Sequence, residues 1–230
     1  MEQGGADVLF RVFGLEVTGA VTTMWAVMAL IIAVLWLAGR RVERIPRSRL
    51  QSLVEIAIAG GENLFSSVMS PKRARQFLPL LGSFFVFILV CNYSGLIPGA
   101  GEFRAFKPPT SHWGVTGGLA AVTFCATQYV GIRSKGLRYF KHFIEPLFLA
   151  PLMLPLSILE ELVRPFSLSL RLFANIFGGE TVLLALLLVI PYFLPITTLV
   201  LELIFGFVQA FIFTMLTAVY LAGASETQAH

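Results

Sequence analysis

The fold of this chain is decided by residues 151–191, which read PLMLPLSILEELVRPFSLSLRLFANIFGGETVLLALLLVIP. As a helix, about 40 residues span ~60 Å, roughly twice the ~30 Å thickness of membrane hydrocarbon. The stretch is strongly apolar, yet it contains charged residues, which are costly at membrane depth. These are Glu160, Glu161, Arg164, Arg171 and Glu180. The stretch therefore predicts a membrane helix that tilts steeply or breaks, and whose charges have a specific purpose.

The rest of the sequence has the composition of a polytopic membrane protein. Of its 230 residues, 57% are hydrophobic and only 13% are charged, and the mean hydropathy is +0.81. These values lie outside the range of soluble globular domains. Uncharged windows of about 20 residues, long enough to cross hydrocarbon, recur along the chain. We predict an all-α fold in a single membrane domain with about five crossing helices, because no linker or internal repeat divides the sequence.

The apolar windows and the prolines after residue 190 give a segment-by-segment prediction. Residues 1–16 form a leader outside the membrane that lacks the basic region and cleavage site of a secretory signal, so the first helix is expected to be retained. The predicted segments are a membrane helix at 17–39, a cytoplasmic basic segment at 40–76 containing an amphipathic surface helix at 50–69, membrane helices at 77–98 and 113–132, and a tilted hairpin at 146–190 and 196–223. The amphipathic helix either lies on the cytoplasmic membrane face or packs against other helices.

Basic residues set the predicted orientation. Twelve of the 17 Lys and Arg residues fall in two groups, within 40–75 and 133–141, which two apolar spans separate. Two crossings put both groups on one side, and the positive-inside rule makes that side cytoplasmic. The N-terminus and the loop at 102–112 are therefore predicted outside, and the C-terminus inside. The net charge of +4 then reflects membrane topology and does not indicate nucleic-acid binding.

A polar stripe is predicted along the long helix. At ~100° per residue, the following side chains lie within about 40° of one face: Glu160, Arg164, Ser167, Arg171 and Asn175. Glu180 lies on the opposite side, while Glu202 and Gln209 share one face of the next helix, so a hairpin can bring Glu180 and Glu202 together. Carboxylates exchange protons, whereas Arg, with a pKa above ~12, does not. The pattern indicates a proton relay around a fixed charge.

Structural roles are the alternative for each of these residues. Arg164 could mark the membrane boundary, Arg171 could form a structural ion pair, and Glu160 with Glu161 could cap the helix. Ser167, Asn175 and Gln209 could serve only as interhelical hydrogen-bonding groups. For the whole chain, the alternatives are an ion-coupled secondary transporter and a non-transporting membrane scaffold. Because the sequence has no nucleotide loop, metal cluster or nucleophile with its base, we expect no cofactor, no metal and no catalysis by the isolated chain.

The run LEELVRPFSLSLRLFAN at 159–175 resembles subunit a of rotary F-type ATP synthases. The resemblance continues at 179–180 and 202–221, and more weakly at 92–98 and 109–110. It spans most of the chain from about residue 77 onward. It implies that the chain is the proton-channel stator of such a synthase, in which two offset half-channels load and unload protons on a rotating ring of c subunits.

The resemblance also implies a role for each residue that matches the family pattern. Arg171 would face the ring, whose subunits each carry one membrane-embedded acid, and would separate the half-channels. The remaining matches are Glu180 and Glu202 on the outer access path, Asn175 and Gln209 near the arginine, and Glu160 and Glu161 toward the cytoplasmic exit. The implied partners are the c ring, the peripheral-stalk b subunits and the other synthase subunits, in a bacterial inner membrane.

The sequence departs from the family pattern at two places. Some relatives use a Glu and His combination where this chain has Glu180 and Glu202, so a relay of carboxylates alone is expected. Relatives often read Pro-Thr-Ala-Asp where this chain has Pro-Thr-Ser-His at 109–112. His112 is either a proton carrier on the outer path or a structural residue. The sequence leaves open the size of the ring and whether H⁺ or Na⁺ is the coupled ion.

Overall fold

The computed structural model describes residues 8–12, 15–40, 49–96, 108–136, 150–189 and 194–225. In these ranges a short β-hairpin is followed by six α-helices and one 3-10 turn. Five of the helices are long and apolar enough to cross a membrane. The predicted class, an all-α polytopic membrane protein, is confirmed. The antiparallel hairpin of β1 (Val8–Val12) and β2 (Leu15–Thr18) was not predicted, because strands of five and four residues leave little periodicity to detect.

The helices follow one another along the chain. Their bounds are α1 (Gly19–Gly39), α2 (Arg49–Phe65), α3 (Pro71–Ser94), the 3-10 turn (Pro109–Ser111), α4 (Trp113–Lys135), α5 (Ala150–Val189) and α6 (Leu194–Ser225). Gly136, with a φ of 59°, ends α4 in a conformation that glycine adopts without strain. The predicted hairpin loop at 190–193, the outside loop up to residue 107, and the basic residues of 41–48 and 137–141 lie outside the described residues.

The long apolar stretch forms one continuous helix. α5 has 40 residues and runs through Pro155 and Pro165, as membrane helices can when neighbours satisfy the freed backbone groups. The sequence allowed a tilt or a break, and α5 shows no break between 150 and 189. A helix of ~60 Å does not fit ~30 Å of hydrocarbon along the membrane normal, so α5 has to tilt.

The core of the protein is a bundle of α3, α4, α5 and α6. Its central cluster contains Phe84 and Ile88 of α3, Leu172 of α5, and Ala210 and Phe213 of α6, all buried. Helix α1 touches α2, α3 and the 3-10 turn. An apolar cavity of about 760 Å³ separates α1 from parts of α3 and α4.

Helix α2 has one packed face and one exposed face. It packs against α3, where Glu62 accepts two hydrogen bonds from the guanidinium of Arg75, at 2.6 and 3.0 Å. Leu53, Ile56 and Ala57, on another face, are exposed. Of the two alternatives weighed for this helix, packing against a neighbour is observed, and a position on the membrane surface stays a prediction for its exposed face.

The start of α3 and the ends of α4 and α6 lie at the same end of the bundle. Arg73 donates a 2.7 Å hydrogen bond to Ser225, the last residue of α6. Ala126 and Val130, near the end of α4, pack against the cluster that contains Ala74. The basic residues at the start of α3 therefore lie on the same side as the basic end of α4.

Candidate functional site

Arg171 projects from the exposed face of α5, about halfway along the helix and ~30 Å from its start. Within the described residues its guanidinium makes no hydrogen bond and no ion pair. A structural ion pair, the alternative weighed for Arg171, is therefore not formed in the described part of this chain.

The packing of α5 explains why Arg171 points outward. Leu168, Leu172 and Ile176 are buried in the central cluster, against α3 and α6. On another side, Ser169 is buried and donates a 3.4 Å hydrogen bond to Thr116 of α4. With these two sides occupied, the third side of the helix remains uncovered.

Aromatic rings fix the side of α5 that lies opposite Arg171. Trp113, the first residue of α4, makes edge contacts with Phe166 and Phe173, with ring centroids 5.6 and 5.9 Å apart. Phe173 also stacks on Phe177 at 5.3 Å. Because Phe173 lies two residues from Arg171, it projects from nearly the opposite side of the helix. The contact between Phe173 and Trp113 fixes the rotational orientation of α5 about its own axis.

The predicted polar stripe lies on the outward side of α5, with graded exposure. Glu160, Ser167 and Arg171 are exposed, and Asn175 is partly buried. Glu161, which was assigned with Glu160 to the cytoplasmic exit, has only 19% of its side chain exposed, against 63% for Glu160. The two neighbouring acids therefore occupy different surroundings.

Arg164 is paired inside the chain, in contrast to Arg171. Its guanidinium forms an ion pair with Glu160 and lies 3.8 Å from an oxygen of Glu161. It also lies over the ring of Tyr220 on α6, 5.7 Å from the ring centroid. Glu161 in turn accepts a 2.8 Å hydrogen bond from Gln128 of α4. The positive charge of Arg164 is therefore neutralised within the chain.

The hairpin of α5 and α6 places Glu202 directly against the backbone beside Glu180. A Cβ built on Gly179 would lie only 2.6 Å from Glu202 Oε1, so the carboxylate occupies space that glycine leaves open. Glu202 and Glu180 are both partly buried. The sequence expectation that the hairpin brings these two acids to the same level agrees with this geometry.

Four buried polar atoms have no hydrogen-bond partner in the described part of the chain. They are Asn92 Oδ1, Thr110 Oγ1, Glu202 Oε1 and Gln209 Nε2. Asn92 donates a 3.0 Å hydrogen bond from Nδ2 to the carbonyl of Gly206, one turn from Glu202 and from Gln209. Asn92 and Thr110 belong to the stretches that carry the weaker resemblance, and the sequence alone did not single them out as functional residues. The sequence feature that could have identified Asn92 and Thr110 is a polar residue at the end of an apolar span.

His112 lies in a different environment from these polar groups. It connects the 3-10 turn to α4 with an extended backbone and lines the apolar cavity beside α1. Its role as an outer proton carrier stays a prediction.

The fold and site define a helical membrane protein with an outward-facing arginine at mid-length of a tilted helix and carboxylates beyond it in both directions. The family model described as ATP synthase A chain matches residues 21–222. ATP synthase subunit a 1 of Syntrophotalea carbinolica is 42% identical over 91% of this chain and 86% of its own length. ATP synthase subunit a of Moorella thermoacetica is 40% identical over 93% and 94%, and that of Geobacter sulfurreducens is 35% identical over 92% and 89%. The chain belongs to the ATP synthase A chain family.

Family membership confirms the resemblance inferred from the sequence. The family is the proton-channel stator subunit of F-type ATP synthases, so this chain is an integral membrane subunit of that complex. A secondary transporter and a non-transporting scaffold, the alternatives weighed above, are not favoured.

Proposed function

We propose that Arg171 separates two half-channels and faces a membrane-embedded carboxylate on a ring of c subunits. The observation that carries this proposal is the exposed guanidinium of Arg171, which has no partner among the described residues. A lone cation inside hydrocarbon costs at least several kcal/mol. A negative charge from outside the chain removes most of that cost, and a ring carboxylate has the required charge and depth.

Arg171 acts as a fixed charge. With a pKa above ~12 it cannot release its proton at working pH. It attracts an ionised carboxylate and repels a proton that approaches it. A ring carboxylate therefore passes Arg171 only without its proton. Once it is protonated it is neutral, and it can then move through lipid.

The outer half-channel runs between α3, α5, α6 and the 3-10 turn. Its support is the set of buried polar atoms on Asn92, Thr110, Glu202 and Gln209 that lack a partner in the described ranges. Such groups are the places where buried water binds in proteins. Glu202, packed against Gly179 beside Glu180, supplies a carboxylate that can accept a proton from this water and pass it on.

The cytoplasmic half-channel opens on the exposed face of α5. Glu160 lies on the same face as Ser167 and Arg171, and 63% of its side chain is exposed. A carboxylate at that position can receive a proton that a ring carboxylate releases near Arg171. Asn175, on the same stripe, would contribute hydrogen bonds on the opposite side of Arg171.

The proposal also includes the orientation of the chain in the membrane and its partner subunits. Basic residues at the start of α3 and the end of α4 share one end of the bundle, and the positive-inside rule makes that end cytoplasmic. The N-terminus is then outside and the C-terminus inside, in a bacterial inner membrane. The c ring and the peripheral-stalk b subunits are the expected partners. ATP is formed by other subunits and not by this chain.

Substitution of Arg171 tests the proposal. In membrane vesicles, Arg171→Ala is expected to reduce proton-driven ATP synthesis to background while the complex still assembles, and Arg171→Lys should restore little. The matched control is Arg133→Ala, which removes an exposed arginine at the end of α4 that contacts Tyr129 and should leave synthesis unchanged. Normal coupled synthesis by an assembled Arg171→Ala complex would refute the proposal.

A further inference from the structure

The backbone hydrogen bonding of helix α5 is interrupted at Pro165, about two turns before Arg171. Pro165 has no backbone N–H, so the carbonyl of Glu161, four residues earlier, loses its helical hydrogen bond. Helix interruptions of this kind are tolerated when side chains or neighbouring helices compensate. The orientation of Arg171 relative to the cytoplasmic end of α5 depends on how this point is held.

Four side chains from three helices meet beside Pro165. Gln128 of α4 donates a 2.8 Å hydrogen bond to Glu161 Oε1, and Glu161 Oε2 lies 3.8 Å from Arg164 Nη1. The guanidinium of Arg164 lies 5.7 Å from the ring centroid of Tyr220 on α6. We call Gln128, Glu161, Arg164 and Tyr220 the clasp.

The clasp encloses a small gap in the packing. Pro165 and the two charged members of the clasp line a cavity of about 10 Å³, together with Thr123, Phe124, Thr127 and Tyr220. That volume is about the size of one water molecule. The Thr127 hydroxyl donates to the Thr123 carbonyl inside α4, so the charged groups of α5 supply most of the polarity of this cavity. The contacts join α4, α5 and α6 where the hydrogen bonding of α5 is interrupted.

We propose that Glu161 is a positioning residue that braces α5 at Pro165 and thereby fixes the direction of Arg171, and that it is not a proton carrier. Glu160 and Glu161 have different roles in this proposal. Glu160, with 63% of its side chain exposed, pairs with Arg164 and serves the exit, while Glu161, with 19% exposed, accepts the hydrogen bond from Gln128 and lies 3.8 Å from Arg164. This inference rests on the proposed function, because it concerns the helix that presents Arg171 to the ring. It departs from the sequence-based assignment of Glu161 to the proton path, which stays untested.

The sharpest test separates the hydrogen-bonding capacity of Glu161 from its ability to ionise. Glu161→Gln keeps an oxygen that can accept the hydrogen bond from Gln128 but cannot exchange protons near neutral pH. It should therefore keep ATP-driven proton pumping within about twofold of the parent, with the same pH profile. Glu161→Ala and Gln128→Leu should each lower pumping on the order of tenfold, because a small misplacement of a reacting group is costly.

The double variant Gln128→Leu/Glu161→Ala is expected to be no worse than either single variant, because both act through one contact. The matched control is Glu62→Gln, which alters an acid paired with an arginine on α2 and α3, away from α5. It should pump normally. All rates are divided by the amount of assembled complex, measured by immunoblot and by the ATPase activity bound to the membrane.

Two outcomes would overturn the inference. If Glu161→Gln pumps as poorly as Glu161→Ala in assembled complexes, Glu161 exchanges protons. If Glu161→Ala and Gln128→Leu both pump normally, the clasp positions nothing. Neither outcome touches the role of Arg171, which the substitutions of Arg171 test separately.

Discussion

The two acid-bearing regions of the hairpin of α5 and α6 differ in how the protein holds its carboxylates. In the region of the proposed outer path, Glu202 of α6 lies against the backbone of Gly179 on α5, and its Oε1 is buried without a hydrogen-bond partner in the described ranges. In the region of the proposed cytoplasmic path, Glu160 is exposed and paired with Arg164. On this proposal the outer path is enclosed by this chain's own helices, whereas the inner path opens at the exposed face of α5.

This difference shows what each region requires from the protein. On an enclosed path, polar side chains replace bulk water as hydrogen-bonding partners, so each polar group along the path affects proton transfer. An exposed path can use water directly and depends mainly on the direction in which Arg171 points. We therefore expect substitutions in the outer region to act through proton transfer, and those in the cytoplasmic region, apart from Glu160 itself, to act through the geometry of α5.

Within this comparison of the two acid-bearing regions, the largest expected effect comes from neutralising Glu202. Glu202→Gln should lower ATP-driven proton pumping by on the order of 100-fold, because the enclosed path loses a group that takes up and releases protons. Glu160→Gln should lower it by no more than about tenfold, since water reaches that position. Pumping is measured as quenching of a pH-sensitive dye in inverted vesicles. Equal losses in the two variants would remove the distinction between an enclosed and an open path.

A smaller effect is expected from filling the space beside Glu202. Gly179→Ala places a Cβ 2.6 Å from Glu202 Oε1 and must displace the carboxylate, so pumping should fall about tenfold. Gly178→Ala is the matched control, because a Cβ there meets nothing within 4 Å. Pumping by the two variants is compared at equal assembly. If Gly179→Ala pumps like Gly178→Ala, the position of Glu202 against the α5 backbone is unimportant.

The smallest effect is expected at the contact between α3 and α6. Asn92→Ala removes the 3.0 Å hydrogen bond to the Gly206 carbonyl and should destabilise the packing by about 1 kcal/mol. It also removes one polar group of the outer path, so pumping should fall less than in Gly179→Ala. Ser83→Ala is the control, because that exposed hydroxyl bonds only within its own helix. The loss of packing stability is measured as faster heat inactivation of the complex. Unchanged stability and pumping would exclude a role for Asn92.

Much of the fold could be predicted from hydropathy. Spans of about 20 apolar residues must form helices in a membrane, because no other segment satisfies its own backbone there. Helical periodicity also placed Glu160, Ser167 and Arg171 on one face, and all three are exposed. Both predictions depend only on residues close together in the sequence.

Contacts between distant segments could not be predicted in the same way. Helical phase puts Glu160 on the polar stripe and Glu161 about 100° away from it, but the partner of Glu161, Gln128, lies on another helix and could not be predicted. Asn92 gains its position from Gly206, more than one hundred residues away. The β-hairpin before α1 was also not predicted, because its short strands depend on each other for hydrogen bonds.

The sequence by itself determined that this chain is a helical membrane protein with a fixed cation and several carboxylates at membrane depth, since hydrophobicity and periodicity are local properties. Only the tertiary structure decided which sides of α5 other helices cover. Arg164 pairs with Glu160 and Glu161 of its own helix, and packing places it over Tyr220 of α6, while Arg171 is left outward because other helices pack on the other sides of α5. Which helix faces each side chain depends on residues far apart in the sequence, and it is settled only when the helices pack.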